Sequence, residues 1–282
     1  MNIEKQLKGR LTFITGSAKN AGKTTFLNYA LAHLGGRGTA FMSVGVDGEQ
    51  HCSLTAIAKP RVAVRAGDVF VTTDAMASVS DAALEAVQAF PWKTVLGRIG
   101  VFRAGRPGFA ELVGPETNGQ AAEVLAFLSS LEGVDTVLVD GALNRQTQAA
   151  IAEGGVVHVA KVDAQNFTSA CQQLQLLAEL SAVPSPGKRR TMRVDGALTA
   201  ERAAALPEDA GDVLLEDYTK NFLTLAQWRR FASGRSVYFQ SPFNLRFIVP
   251  VLNEVPEKEF CRALGPRAMR LVAPNPFLER KN

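Results

Sequence analysis

The feature that most constrains this chain is a ten-residue stretch near its start, Gly16-Ser17-Ala18-Lys19-Asn20-Ala21-Gly22-Lys23-Thr24-Thr25. A short apolar run, Leu11 to Thr15, precedes it and reads as a buried strand. From Thr24 to Leu34 the residues Phe26, Leu27, Ala30, Leu31 and Leu34 recur on one helical face, and Gly35-Gly36 stops the helix. Strand, small-residue loop and helix thus follow one another directly, the context in which such a loop binds phosphate. Small residues let consecutive backbone N–H groups turn inward around a phosphate chain. The helix start near Gly22 aims the positive end of its dipole at the same anion. Lys23 can reach the β- and γ-phosphates, and the Thr24 hydroxyl can bind magnesium. Gly16, Ser17, Lys19, Asn20, Ala21, Gly22, Lys23, Thr24 and Thr25 are therefore the candidate nucleotide-binding residues, with ATP and magnesium as the expected ligands. The spacing is unusual: five residues separate Gly16 from Gly22, where the common loop has four.

The rest of the chain continues the alternation. Thr39 to Val44 reads as a second buried strand, running into Gly45-Val46-Asp47-Gly48-Glu49. Between 61 and 113 the pattern turns β-rich. Val62–Val64 and Val69–Thr73 flank Arg-Ala-Gly-Asp as a hairpin would, Asp81 to Phe90 reads as a short helix, and Val95–Phe102 and Phe109–Val113 add β character. We read this segment as antiparallel strands added to a parallel sheet. Ala121 to Leu131 is an amphipathic helix with Val124, Leu125, Leu128 and Leu131 on its apolar stripe. Thr136–Val139 is a buried strand ending at Asp140, where a carboxylate suits a magnesium site because that ion prefers oxygen ligands. Val156–Ala160 is a further strand, followed by a helix from about 164 to 181 and a Pro-, Gly- and Arg-rich break over 184–193. Beyond it lie Asp212–Leu215, a helix over 219–231, Ser236–Gln240 and Leu245–Leu252. The expectation is an α/β fold with a mainly parallel sheet covered by helices on both faces, of the P-loop NTPase type. It would be one domain over 1–282, with an inserted β-rich segment at 61–113 and a C-terminal α/β extension at 194–282.

Composition excludes several alternatives. Apolar residues make up 46% and charged residues 21%, close to the globular average, which argues against a disordered or fibrous chain. No apolar run is long enough to span a bilayer, and Met1 to Arg10 has no apolar signal core. Three cysteines at distant spacing and three histidines without a His-x-x-x-His pair leave no disulfide framework and no histidine-based metal site. A cytoplasmic setting is expected. The net charge of +4 accommodates an anionic ligand without calling for nucleic acid. The densest basic cluster, Lys188, Arg189, Arg190 and Arg193, reads as a solvated loop after a Pro-Ser-Pro-Gly turn.

The Gly16–Thr25 spacing resembles one branch of the P-loop NTPases, which includes dethiobiotin synthetase, the cobyrinic and cobyric acid amide-forming enzymes and the MinD group. The MinD signature lysine lies five residues before the loop lysine, whereas Lys19 lies four before Lys23. In that branch an Asp after the second strand helps position magnesium or polarise the nucleophile. The resemblance thus implies a catalytic and metal-binding role for Asp47 beside Lys23, Thr24 and Asp140; Glu49 is a weaker candidate. Asn253 stands where some relatives bind adenine, and Asn144, Arg145, Lys161 and Asp163 follow or end strands in the same manner.

Taken together, Gly-Ser-Ala-Lys-Asn-Ala-Gly-Lys-Thr-Thr, Val-Asp-Gly-Glu, Val-Asp-Gly-Ala-Leu-Asn-Arg and Gly196-Ala-Leu-Thr199 resemble the KamB-type subunit of the lysine 5,6-aminomutase reactivase. That resemblance implies an ATP-dependent, chaperone-like partner of an adenosylcobalamin enzyme. Its partners would be a second reactivase subunit or the aminomutase, with homo-oligomerisation open and no nucleic acid or membrane involved. The 61–113 segment is then a candidate docking surface, and the loops holding Asp47 and Asn144–Arg145 are candidate switches. The competing reading is an ATP-dependent ligase or kinase of the dethiobiotin synthetase type.

Overall fold

The apolar run after Arg10 becomes β1 (Leu11–Gly16), in which every residue from Thr12 onward is buried. Burial of successive residues means that both faces of the strand are covered, as in a parallel sheet. In the computed structural model, residues 2–34, 38–44, 61–141, 154–207 and 211–273 are described. The chain is α/β and divides into two compact units, the described residues up to Gly141 and those from Gly154 onward.

In the first unit, α1 (Ile3–Leu7) leads into β1, and α2 (Lys23–Leu34) follows the loop. Helix α2 buries Phe26, Leu27, Ala30, Leu31 and Leu34, the five residues its periodicity predicts. Then come β2 (Thr39–Ser43), β3 (Val62–Val64), β4 (Val69–Thr73), α3 (Asp74–Ser78), β5 (Leu84–Thr94), β6 (Gly97–Ala104), β7 (Gly108–Ala110), α4 (Asn118–Ser130) and β8 (Thr136–Asp140). The sheet of this unit runs β1-β8-β2-β4-β6-β5. The β1/β8, β8/β2 and β2/β4 pairs are parallel. The β4/β6 and β6/β5 pairs are antiparallel. A mainly parallel core therefore carries an antiparallel addition at one edge.

Two local expectations are corrected here. Residues 81–90 do not form a helix; the helix is α3, capped by Thr73, and 84–94 is the long strand β5. Ala, Leu, Glu and Gln favour a helix locally, but the β6 backbone supplies a ladder partner along most of β5, and tertiary pairing overrides propensity. Nor do β3 and β4 form a hairpin. Strand β3 pairs antiparallel with β7 in a separate two-stranded sheet, while β4 lies parallel to β2 in the core. The Arg65–Asp68 turn is held closed by the Asp68 carboxylate, which accepts from the Arg65 N–H at 2.8 Å. Gly67 N–H donates to Ala104 carbonyl, so the turn is tied to β6.

The second unit contains β9 (Gly155–Val162), α5 (Phe167–Leu180), β10 (Met192–Val194), α6 (Ala200–Ala205), β11 (Val213–Leu215), α7 (Leu225–Ser233), β12 (Val237–Phe239), β13 (Leu245–Leu252) and α8 (Glu257–Met269). Strand β13 runs parallel to β9, and β10, β11 and β12 form a small all-parallel sheet. The helix expected over 219–231 is two elements, a 3-10 turn at Tyr218–Lys220 and then α7. Asp217 N-caps the first, accepting from Thr219 N–H at 2.7 Å, and Asn221 ends it; Thr224 starts the second with a capping box to Gln227. Helix α8 is kinked at Gly265 (φ 73), before Pro266. Gln175 of α5 donates to the Ala263 and Leu264 carbonyls, at 3.1 Å each, and so satisfies acceptors near the kink.

Candidate functional site

The site is assembled at the carboxyl ends of β1, β8 and β2. Strand β8 lies between the other two, and Asp140 is the register partner of Ile14 on one side and of Ser43 on the other. Gly141 N–H donates to the Ile14 carbonyl at 3.0 Å, and Val44 N–H donates to the Asp140 carbonyl at 3.0 Å. These bonds fix the strand ends that the loops leave from.

Between β1 and α2 the chain turns through Ser17 to Gly22. Asn20 (φ 59) and Gly22 (φ 100) both take left-handed backbone, a conformation in which a short loop can turn its amides to one side. Ala21 is buried and anchors the loop, whereas Lys19 and Asn20 are exposed. Helix α2 begins at Lys23, with no acidic residue in its first turn. Its first N–H groups have no acceptor one turn back and are available to an anion. Phe26 N–H is the first to find an intrahelical carbonyl, that of Gly22, at 2.9 Å.

Lys23 folds back over the loop rather than away from it. A Cβ on Gly16 would stand 3.0 Å from Lys23 Cγ and 3.1 Å from Cδ. Gly16 is thus the bed on which the lysine stem lies, and its lack of a side chain lets the stem lie there. Next to it, Thr24 Oγ1 donates to Asp140 Oδ2 at 2.9 Å, although 116 residues separate the two in sequence. Loop and strand-end carboxylate, read separately from the sequence, are therefore in contact. Thr25 is exposed.

The site has a fourth wall that sequence reasoning missed. Gly114, between β7 and α4, packs directly on the end of β2, and a Cβ there would overlap the Ser43 carbonyl oxygen. Thr72 of β4 holds the same segment by donating to the Glu111 carbonyl at 2.7 Å. The Ser43 hydroxyl is shut off from water and has no hydrogen-bond partner among the described residues. A Gly-Pro pair signals a turn in any sequence; that this one closes on β2 is set by tertiary packing alone.

Asp47, Glu49, Asn144 and Arg145 lie outside the described residues. Asp163 and Asn253 belong to the second unit. Asp163 closes the turn into α5, its carboxylate accepting from Gln165 N–H at 3.1 Å and Asn166 N–H at 3.0 Å. Asn253 is exposed, and its N–H extends the β9/β13 ladder to the Val162 carbonyl at 2.8 Å. Lys161 is half-buried near the end of β9. The basic cluster is exposed as expected, with Arg193 paired to Asp195 at 2.6 Å and the Arg189 guanidinium 5.7 Å from the Tyr238 ring centroid.

Among the described residues no group of three or more His, Cys, Asp or Glu is arranged to hold a metal ion. The donors brought together here are the Thr24 hydroxyl at the start of α2 and the Asp140 carboxylate at the end of β8. That all-oxygen pair fits magnesium, which commonly takes one or two protein ligands and completes its octahedron with phosphate and water. Among the described residues no helix is long and apolar enough to cross a membrane. No family model, no curated protein and no solved structure matches the chain.

Proposed function

We propose that the chain is a P-loop protein that binds Mg-ATP, hydrolyses it, and serves as a chaperone-like reactivating factor for an adenosylcobalamin-dependent aminomutase. The observation that carries the nucleotide part is the Thr24–Asp140 hydrogen bond, which joins the candidate phosphate loop to the strand-end carboxylate. Lys23, lying over Gly16, would neutralise the β- and γ-phosphates. Thr24 and Asp140 would hold magnesium, which when bound supplies charge stabilisation at the γ-phosphoryl group. ATP rather than GTP is favoured because no Asn-Lys-x-Asp guanine-reading motif occurs.

The reactivase part rests on the sequence resemblance. It is supported by the distribution of exposed apolar side chains. Of the four large ones among the described residues, Val79, Val95 and Phe109 belong to the 61–113 segment, and the fourth is Phe222. Ser80 Oγ donates to the Phe109 carbonyl at 3.0 Å, which ties the backbone beside Val79 to that of Phe109. Exposed apolar side chains concentrated in one segment suit a protein partner. Hydrolysis would then relax the loops that γ-phosphate and magnesium hold, releasing or remodelling that partner.

The test pairs calorimetry with co-purification. Wild type should bind Mg-ATP and Lys23→Ala should bind it at least about tenfold more weakly, the scale of a lost charge-assisted phosphate contact. Equal affinities would refute the nucleotide site. An aminomutase or a second reactivase subunit should co-elute with the protein from its native cell in a manner that changes with ATP. Rapid turnover needing only ATP and a small carboxylic acid would favour the ligase reading instead.

A further inference from the structure

We propose that Asn28 of α2 couples the candidate phosphate loop to the two-stranded sheet β3/β7, so that nucleotide binding restrains the sheet that presents Phe109. The inference rests on the nucleotide reading and deepens it, naming the residue through which the site would control the partner surface. Helix α2 begins at Lys23, and Thr24 is the residue bonded to Asp140. Asn28 follows Thr24 by four residues, so the two lie on one face of the helix, about 6 Å apart along its axis. From that face the Asn28 side chain clamps β3 at two points. Its Nδ2 donates to the Arg61 carbonyl at 3.2 Å, and its Oδ1 accepts from the Ala63 N–H at 3.0 Å. A third bond holds the same strand one turn further along α2, where Arg65 Nη2 donates to the Ala32 carbonyl at 3.1 Å.

Strand β3 passes the connection to β7. Ala63, whose N–H Asn28 holds, is the register partner of Phe109. Both are exposed, whereas Val62, Val64 and Ala110 are buried. The Phe109 backbone is fixed in turn, its N–H donating to Asp81 Oδ1 at 2.7 Å and its carbonyl accepting from Ser80 Oγ at 3.0 Å. From Thr24 to Phe109 the contacts thus run through one amide side chain and one pair of strands. The first N–H groups of α2 have no acceptor one turn back, so an anion bound there restrains the start of the helix. Side chain–backbone bonds near the surface, such as those of Asn28, open locally at little cost. A restrained α2 makes that opening rarer, and the amide hydrogens of β3 and β7 then exchange more slowly.

The test uses the full chain as wild type, Asn28→Ala and Asn28→Ser, with magnesium and a non-hydrolysable ATP analogue as the probe. Calorimetry gives the affinity. Amide hydrogen exchange, read by mass spectrometry on peptides covering 61–64 and 108–110, gives the coupling. In wild type, nucleotide should slow exchange in both segments by about fivefold or more, the low end of ordinary coupling between sites. Alanine is a better helix former than asparagine, and the bonds lost lie at the surface, so Asn28→Ala should fold; serine is too short to reach both groups. Both variants should bind nucleotide within about fivefold of wild type, the most that a coupling of that size can transfer, and neither should show nucleotide-dependent slowing at 61–64 and 108–110. A wild type that binds nucleotide without slowing in these segments overturns the coupling, as does slowing of equal size in the variants. A wild type that binds no nucleotide in calorimetry refutes the nucleotide reading before any exchange is measured, and the coupling falls with it.

Discussion

At the scale of single residues, the Thr24–Asp140 contact does the most to define the site. In Asp140→Asn the side chain still offers an oxygen to the Thr24 hydroxyl but loses its charge. Magnesium-dependent ATP hydrolysis should drop by about 10–100-fold while metal-free ATP binding changes little, as compared by phosphate release and calorimetry. Equal turnover would reduce Asp140 to a turn residue. Asp68 offers a second test, of stability rather than chemistry. It is buried in the Arg65–Asp68 turn. Burial pushes its carboxyl above the usual range, with the Arg65 N–H and guanidinium opposing that shift. A raised pKa in the folded state means that its favourable contribution is complete below the unfolded value, about 3.9, and is lost as pH rises through the folded value. Asp68→Asn should therefore be more stable than wild type at pH 7, with the gain vanishing near pH 3.5, in urea melts at both pH values. The candidate phosphate-loop residues were legible as candidates because the types and order of Gly16–Thr25 match what phosphate binding needs. The packing of Gly114 on Ser43 was not, since a serine at a strand end has no distinguishing pattern until packing encloses it.

At the scale of elements, buried periodicity was the reliable signal. Helix α2 and strands β1, β2 and β8 are apolar on the faces they bury, and they form where the pattern predicts. Helix α4 buries Ala121, Val124, Leu125 and Leu128, with Leu131 falling at its C-cap instead of inside it. Its start is set by the Thr117–Gln120 capping box. Thr117→Ala should cost about 1 kcal/mol, measured by chemical denaturation, because the N–H groups of the first turn lose their acceptor. Strand β5 failed as a prediction for the converse reason. Phe90 is its one buried residue, stacked on Trp92 at 4.8 Å and edge-on to Phe127 at 6.0 Å. An exposed edge strand of Ala, Glu and Gln shows no two-residue apolar period, so its local composition points to a helix. The ladder to β6 decides otherwise.

At the scale of the whole molecule, the exposed apolar side chains bear on partners. Replacing Val79 and Val95 together by Asp should weaken co-purification of a protein partner by about tenfold or more, with Mg-ATP affinity unchanged by calorimetry. Loss of ATP binding in the same variant would mean that the segment supports the site, not a partner. The sequence by itself determined the α/β class, the parallel core strands, the phosphate-loop candidates and Asp140, because each depends on residue types at short spacing. Tertiary structure alone decided that β8 lies between β1 and β2, bringing Asp140 to Thr24. It also separated β3 from β4 into different sheets, drew β5 into a strand and closed Gly114 over Ser43. These outcomes depend on backbone partners tens of residues away, which local propensity and periodicity do not encode.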